Sequence, residues 1–198
     1  MSAPARLRVG VLASQGDFAA HRRVLAELGA EAVEARSPGA LEGLDALVIP
    51  GGESTTIMKA IERDGLEPPI RGHAARGAPI LGTCAGMIVC DREHLGLADL
   101  RCERNAYGRQ IHSFEADLRV AGLGTEPLRA VFIRAPKVRE LGPGVEVLAE
   151  LDGVPVAVRD GNVLLCSFHP ELTDDSRIHA LLMAMATAAR SQLSPAST

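Results

Sequence analysis

Apolar and polar positions alternate along the first half of the chain between two textures. Short, largely apolar runs at Arg8 to Ala13, Ala30 to Ala35, Leu44 to Pro50 and Ala78 to Gly82 read as strands. Leu44 to Pro50 is apolar almost without interruption, as expected of a strand covered on both faces. Between these runs lie segments of helical period. From Asp17 to Leu28, Phe18, Val24, Leu25 and Leu28 recur at roughly helical spacing before Gly29 ends the pattern. Ser54 or Thr55 is suited to cap a helix reaching about Arg63, and Pro68 and Pro69 open a shorter helix that ends near Gly77. Ala85 to Asp91 also reads as helix, which puts Cys84 at a strand-to-helix junction.

From His112 the texture changes to strand-like runs separated by Gly and Pro: Ser113 to Val120, Ala130 to Arg134, Val145 to Glu150, Val154 to Arg159 and Asn162 to Phe168. A final helix is predicted from roughly Asp174 to Ser191, with residues 1–6 and 192–198 as loose termini. The pattern predicts an α/β fold with an open, mostly parallel sheet flanked by helices, joined by right-handed crossovers, to which the later strands add antiparallel pieces. Ligands of such sheets bind beyond the carboxyl ends of the strands. Segments beginning at Gly51, Gly82 and His169 each follow such an end.

Composition narrows the class. The 198 residues suit a single domain that buries roughly 70% of its unfolded surface. With 3% aromatics and no Trp, its core must be built from Val, Leu, Ile and Ala. A formal charge of −4, from 25 acidic and 21 basic residues scattered along the chain, leaves no basic stripe for nucleic acid. Cys84, Cys90, Cys102 and Cys166 form no CxxC pair, and the N-terminus lacks a basic and apolar leader, so a reducing cytoplasm is expected. No apolar stretch approaches the ~20 residues that span a bilayer, and no membrane partner is expected.

Three segments carry chemistry. Gly82-Thr83-Cys84-Ala85-Gly86 has the G-x-nucleophile-x-G form, in which flanking glycines permit a sharp turn that exposes the nucleophile. A helix starting at Ala85 aims free N–H groups at the sulfur, which lowers a thiol pKa from ~8.5 toward neutrality. The competing reading is a buried structural cysteine. In His169-Pro170-Glu171, residues i and i+2 of an extended segment face one side, so Glu171 can orient the imidazole of His169 while its other nitrogen serves Cys84. Cys166 stands three residues before His169, but no second ligand pair supports a metal site. Pro50-Gly51-Gly52-Glu53-Ser54 joins a strand end to a helix start through residues that let backbone approach a ligand, and Gly52 with Ala85 could supply oxyanion-hole N–H groups. No Lys-Ser or Lys-Thr follows, so the segment is not a phosphate loop.

In this order, PGGES, GTCAG and HPE resemble the class I, triad-type glutamine amidotransferases, which implies Cys84 as nucleophile, His169 as base and Glu171 as orienting acid. Further segments, SQGD around Gln15, ERNAYGRQ from Glu103, SFEADL from Ser113, FIRAP from Phe132 and CSFHPELT from Cys166, are similar to the glutaminase subunits of pyridoxal 5′-phosphate synthase over nearly the whole chain. The resemblance implies a flavodoxin-like sheet, L-glutamine held at Gly52, Glu53, Ser54, Arg104, Ile133 and Arg134, no cofactor, and a separate synthase subunit that receives ammonia. Guanidinium groups suit the α-carboxylate of glutamine, and an acidic group suits its α-ammonium. In class terms a hydrolase and a lyase are expected.

Two departures from that pattern stand out. Ser14 precedes Gln15 where the family usually has an apolar residue, and the stretch between Met87 and Leu97 is short. Neither touches the triad: the short stretch bears on the partner-facing surface, and the resemblance implies that the Gln15 neighbourhood helps shape the active site when the partner docks. Three alternatives compete: the glutaminase subunit of another biosynthetic synthase, such as the imidazole glycerol phosphate enzyme, a relative that hydrolyses γ-glutamyl peptides, and a catalytically silent module of the same fold.

Overall fold

The computed structural model describes residues 6–104 and 113–193. The chain runs through β1 (Arg8–Leu12), α1 (Phe18–Glu27), β2 (Glu31–Ala35), β3 (Ala46–Ile49), α2 (Ser54–Arg63), α3 (Glu67–Ala75), β4 (Ile80–Thr83) and α4 (Ala85–Cys90). It continues through β5 (Leu100–Glu103), β6 (Ser113–Leu118), β7 (Leu128–Ile133), β8 (Lys137–Leu141), β9 (Glu146–Leu151), β10 (Val154–Asp160), β11 (Val163–Cys166) and α5 (Arg177–Leu193). Most of residues 1–6 and 192–198, and the ERNAYGRQ segment beyond Arg104, lie outside the described residues.

Seven strands form one sheet in the order β2-β1-β3-β4-β11-β10-β9. β2, β1, β3, β4 and β11 are parallel, and β10 and β9 extend the edge antiparallel. This is the expected open, mostly parallel sheet. Its central strands are buried on both faces, and successive residues serve two different cores. Ala46 and Val48 of β3, Leu81 of β4 and Leu164 of β11 join Leu25 of α1 and Ile178 and Leu182 of α5 on one face. Leu47 and Ile49, Ile80, and Val163 and Leu165 join Ile57 and Ile61 of α2, Ile70 of α3 and Met87 of α4 on the other. Each fully buried Leu or Ile contributes roughly 1.5–3 kcal/mol, so these two layers are the main apolar support of the strand ends that carry the site.

Two small antiparallel sheets complete the described residues, β5 with β8 and β6 with β7. Phe132 of β7 stacks on Phe114 of β6 with ring centroids 4.6 Å apart and meets Phe168 edge-on at 5.7 Å, tying the β6–β7 hairpin to the segment after β11. β5 and β8 were not foreseen from the sequence. They are four and five residues long and half exposed, and their charged residues pair across the strands, as Arg101 does with Glu140 at 3.2 Å. The short stretch after Met87 is folded around buried Asp91, which accepts from the Glu93 N–H at 3.0 Å, pairs with His94 Nδ1 at 2.7 Å and accepts from the Cys102 N–H at 3.2 Å.

Candidate active site

The site begins where β4 hands over to α4. Cys84, the single residue between them, adopts φ 50° and ψ −112°, a conformation that costs an L-residue on the order of 1–3 kcal/mol. Its N–H donates to the Cys166 carbonyl at 2.8 Å and its carbonyl accepts from Met87 N–H at 3.0 Å, which fixes the turn. The glycines on either side are needed because the chain closes tightly there. A Cβ on Gly86 would stand 2.0 Å from the Ile49 carbonyl oxygen, and one on Gly82 would stand 2.7 Å from Leu165 and 2.8 Å from the Gly86 carbonyl oxygen. The thiol of Cys84 faces the Ile133 carbonyl at 3.6 Å.

Beyond β11 the chain presents His169, whose N–H donates to the Val131 carbonyl at 2.8 Å. The expected extended His-Pro-Glu segment is corrected here. His169 is nearly extended, at φ −106° and ψ 89°, but Pro170–Leu172 form one 3-10 turn, since the proline ring fixes a φ suited to a helix start. The turn brings Glu171 back to His169 all the same, with Glu171 Oε1 2.7 Å from His169 Nδ1. An ionised carboxylate only accepts, so Nδ1 carries the proton and Nε2 is left to act as base.

Burial opposes ionisation of Glu171, but the hydrogen bond from His169 and the field of its imidazole hold the carboxyl below the usual range. Burial likewise opposes charge on His169, yet its interactions with the Cys84 thiol and the Glu171 carboxylate prevail and raise its pKa to about 10. At neutral pH such an imidazole holds the proton it takes from the thiol and gives it up only to the departing nitrogen. Burial pushes the thiols of Cys90, Cys102 and Cys166 up, with further upward pushes from Asp91 on the first two and from Glu171 on the third, so these three stay protonated at neutral pH.

The third contributor is the loop after β3. Glu53, not Ser54 or Thr55, is the N-cap of α2. Its carboxylate accepts from Thr56 Oγ1 at 2.7 Å, from Thr56 N–H at 2.8 Å and from Thr55 N–H at 3.2 Å. Those hydrogen bonds, the Thr56 hydroxyl first, hold its pKa at about 2. Ser54 cannot serve as the cap because it is already the first helical residue, buried at 3% exposure. Glu53 N–H donates to Gln15 Oε1 at 3.3 Å, and Arg104 Nη1 donates to Thr55 Oγ1 at 2.7 Å while standing 3.7 Å from Glu53 Oε1. Gly52 has φ 144°, and Arg134 has φ 45°.

Every residue expected at the site lines one cavity of ≈ 200 Å³, except Glu171, which lies behind His169. Ile88 and Pro136 also line it and were missed. Ile88 stands four residues after Cys84, one helical turn on, and that spacing could have pointed to it. Pro136 carried no signal. The cavity is below the usual range for drug-sized ligands and suits a small metabolite. Among the described residues no group of three His, Cys, Asp or Glu side chains could hold a metal ion, and no helix is long and apolar enough to cross a membrane.

Comparison with known proteins identifies the family. Residues 11–188 match the model of the SNO glutamine amidotransferase family. Among curated relatives, the pyridoxal 5′-phosphate synthase subunit PdxT of Halorubrum lacusprofundi is 51% identical, covering 88% of this chain and 95% of that protein. The subunit of the same name from Thermus thermophilus is 53% identical, covering 90% and 97%. A crystal structure of a glutamine amidotransferase superposes with a TM-score of 0.86 at 49% identity, over 90% of this chain and 98% of the other. At 19% identity, a putative GMP synthase component from Thermoplasma acidophilum shares the fold, with a TM-score of 0.76 over 96% and 98% of the two chains. These matches correct one expectation, the lyase class. The family model describes glutamine amidotransferases, to which the hydrolase and glutaminase classes fit and the lyase class does not.

Proposed function

Because this chain belongs to the SNO glutamine amidotransferase family, we propose that it is the glutaminase subunit of pyridoxal 5′-phosphate synthase, a single glutaminase domain that hydrolyses L-glutamine to L-glutamate and ammonia. The ammonia passes to a synthase subunit that builds pyridoxal 5′-phosphate from ribose 5-phosphate and glyceraldehyde 3-phosphate. Identities of 51% and 53% to PdxT subunits over most of both chains support this reading over other biosynthetic synthases. Free ammonia is protonated in neutral water and loses its nucleophilicity, so such a subunit works in a complex. Four free cysteines suit the reducing cytoplasm as its compartment.

The observation that carries the chemistry is that His169, backed by Glu171 at 2.7 Å, and a cysteine on a strained turn line one small cavity. Cys84 gives its proton to His169 and its sulfur attacks the side-chain amide carbon of glutamine. The tetrahedral oxyanion is met by N–H groups of Gly52 and Ala85, each worth roughly 3 kcal/mol. His169 returns the proton to the departing nitrogen, the C–N bond breaks, and ammonia leaves a glutamyl thioester. Water, deprotonated by His169, then attacks the same carbon, and glutamate leaves as the thiol is restored. Glu171 keeps the His169 ring in one tautomer and orientation throughout.

Around this centre, Arg104 and Arg134 are apt partners for the α-carboxylate. Glu53 stays ionised while capping α2 and so remains available to the α-ammonium, with Ser54 and Ile133 completing the pocket. A chloroketone analogue of glutamine tests the assignment. Labelling confined to Cys84 is the expected result, whereas equal labelling of Cys84 and Cys90, or none, contradicts it and favours a silent module.

A further inference from the structure

Behind Glu171 lies a buried polar cluster that the reaction above leaves unused. Glu171, 2% exposed, gives Oε1 to His169 and turns Oε2 inward, where His21 Nε2 of α1 stands 3.3 Å away. That approach is a close contact rather than an aligned hydrogen bond, and among the described residues Oε2 has no hydrogen-bond partner. The same His21 nitrogen meets Thr83 Oγ1 at 3.3 Å, one residue before Cys84. On its far side His21 Nδ1 is 2.9 Å from His179 Nε2 of α5. Both imidazoles are fully buried.

The proton positions follow from what each nitrogen faces. His179 Nδ1 is buried without a hydrogen-bond partner among the described residues, and a buried N–H left unpaired is rarer than a bare acceptor. The His179 proton therefore sits on Nε2 and is donated to His21 Nδ1. His21 must then carry its own proton on Nε2, facing Thr83 Oγ1 and Glu171 Oε2. The opposite order would aim a lone pair at the carboxylate. Titratable groups facing His21 are Glu171 and His169 from the segment after β11, Asp17 at the start of α1 and His179 from α5. Burial outweighs the pull of Glu171 and Asp17 and keeps His21 neutral, and burial lowers His179 to about 3.

We propose that His21 is a positioning residue of the glutaminase reaction: locked in one tautomer by His179, it sets its Nε2–H toward Thr83 and against Glu171 Oε2, and this packing holds in place the carboxylate that orients His169. The inference rests on the reading of Cys84, His169 and Glu171 as the catalytic triad.

The test compares kcat and KM for glutamine in the complex with the synthase subunit. His21→Leu lowers kcat about 10- to 100-fold with KM within about twofold, and His21→Gln, which keeps a donor near the Nε2 position, recovers most of it. In a Glu171→Gln background, His21→Leu costs less than about twofold, because the carboxylate it orients is gone. Nitrogen NMR of 15N-histidine-labelled wild-type chain, which needs neither turnover nor a folded variant, shows His21 and His179 both as Nε2–H tautomers. An unchanged kcat in His21→Leu, an equal loss in both backgrounds, or an Nδ1–H tautomer of His21 overturns the proposal and leaves the triad standing. Glutamine hydrolysis that survives Cys84→Ala overturns the triad and the proposal with it.

Discussion

The imidazole edge of His169 fills the space that a side chain on Gly51 would need. A Cβ there would stand 2.6 Å from His169 Cε1 and 3.2 Å from Cys84 Cβ. The backbone after β3 thus acts as a wall against which base and nucleophile are both set. In Gly51→Ala the imidazole is the part that can move, so the protein folds but the triad is misaligned. Glutamine turnover is expected to fall on the order of 100-fold with thermal stability changed by only a few degrees. Wild-type kcat in this variant would show that the close packing has no catalytic importance.

Gly86 is a different case, because what it meets is backbone. The Ile49 carbonyl oxygen, 2.0 Å from a Cβ at this position, belongs to a central strand and cannot step aside. Gly86→Ala is expected to cost about 3 kcal/mol or more, or to prevent folding. Urea unfolding of the variant checks this, and an unchanged midpoint would contradict the packing described for the β3–α4 contact.

Three buried histidines make the fold sensitive to mild acid. His73, buried and flanked by the Arg76 guanidinium, is lowered to about 4, and His179 to about 3, while burial lowers His21 as well. Below the ordinary value of 6.5 the unfolded chain binds protons at these sites that the folded chain does not. Their stability contribution is therefore complete above that pH and is lost as pH falls toward the folded values. His169 has the opposite sign. Its pKa is raised to about 10, so its contribution is full below 6.5 and fades only as pH rises through about 10. The urea midpoint is expected to drop between about pH 6.5 and 5, where most carboxylates are still ionised, and to drop less in His179→Phe. A flat midpoint across that window would contradict the buried, neutral assignment.

Arg104 bridges to Thr55 and approaches Glu53 at the rim of the cavity. Its expected role is to bind glutamine rather than to perform a chemical step. Arg104→Ala or Arg134→Ala is expected to raise KM for glutamine about 10- to 100-fold with kcat within about threefold. The larger effect identifies the partner of the α-carboxylate. If both variants bind normally, neither arginine has that role.

What the sequence revealed followed from how locally each feature is determined. β1, β3 and β4 could be read because strands buried on both faces are apolar runs, and Cys84 because its turn demands glycines two residues away on either side. β5 and β8 could not, since Arg101, Glu103, Lys137, Arg139 and Glu140 leave little apolar pattern in strands held partly by ion pairs. The N-cap of α2 was misread because Ser and Thr outrank Glu as caps, whereas here the longer Glu53 carboxylate reaches two backbone N–H groups and a hydroxyl. The pairing of His169 with Glu171 was foreseen but its 3-10 geometry was not. His21 gave no signal at all, because Thr83 and His179 lie 62 and 158 residues away along the chain.

The most direct test of the account is ammonia release from glutamine by the purified chain, with and without the synthase subunit, beside Cys84→Ala. The account expects release that rises when the synthase is present and vanishes in the variant. Release that persists in Cys84→Ala, or its absence in both settings for the wild-type chain, would contradict it.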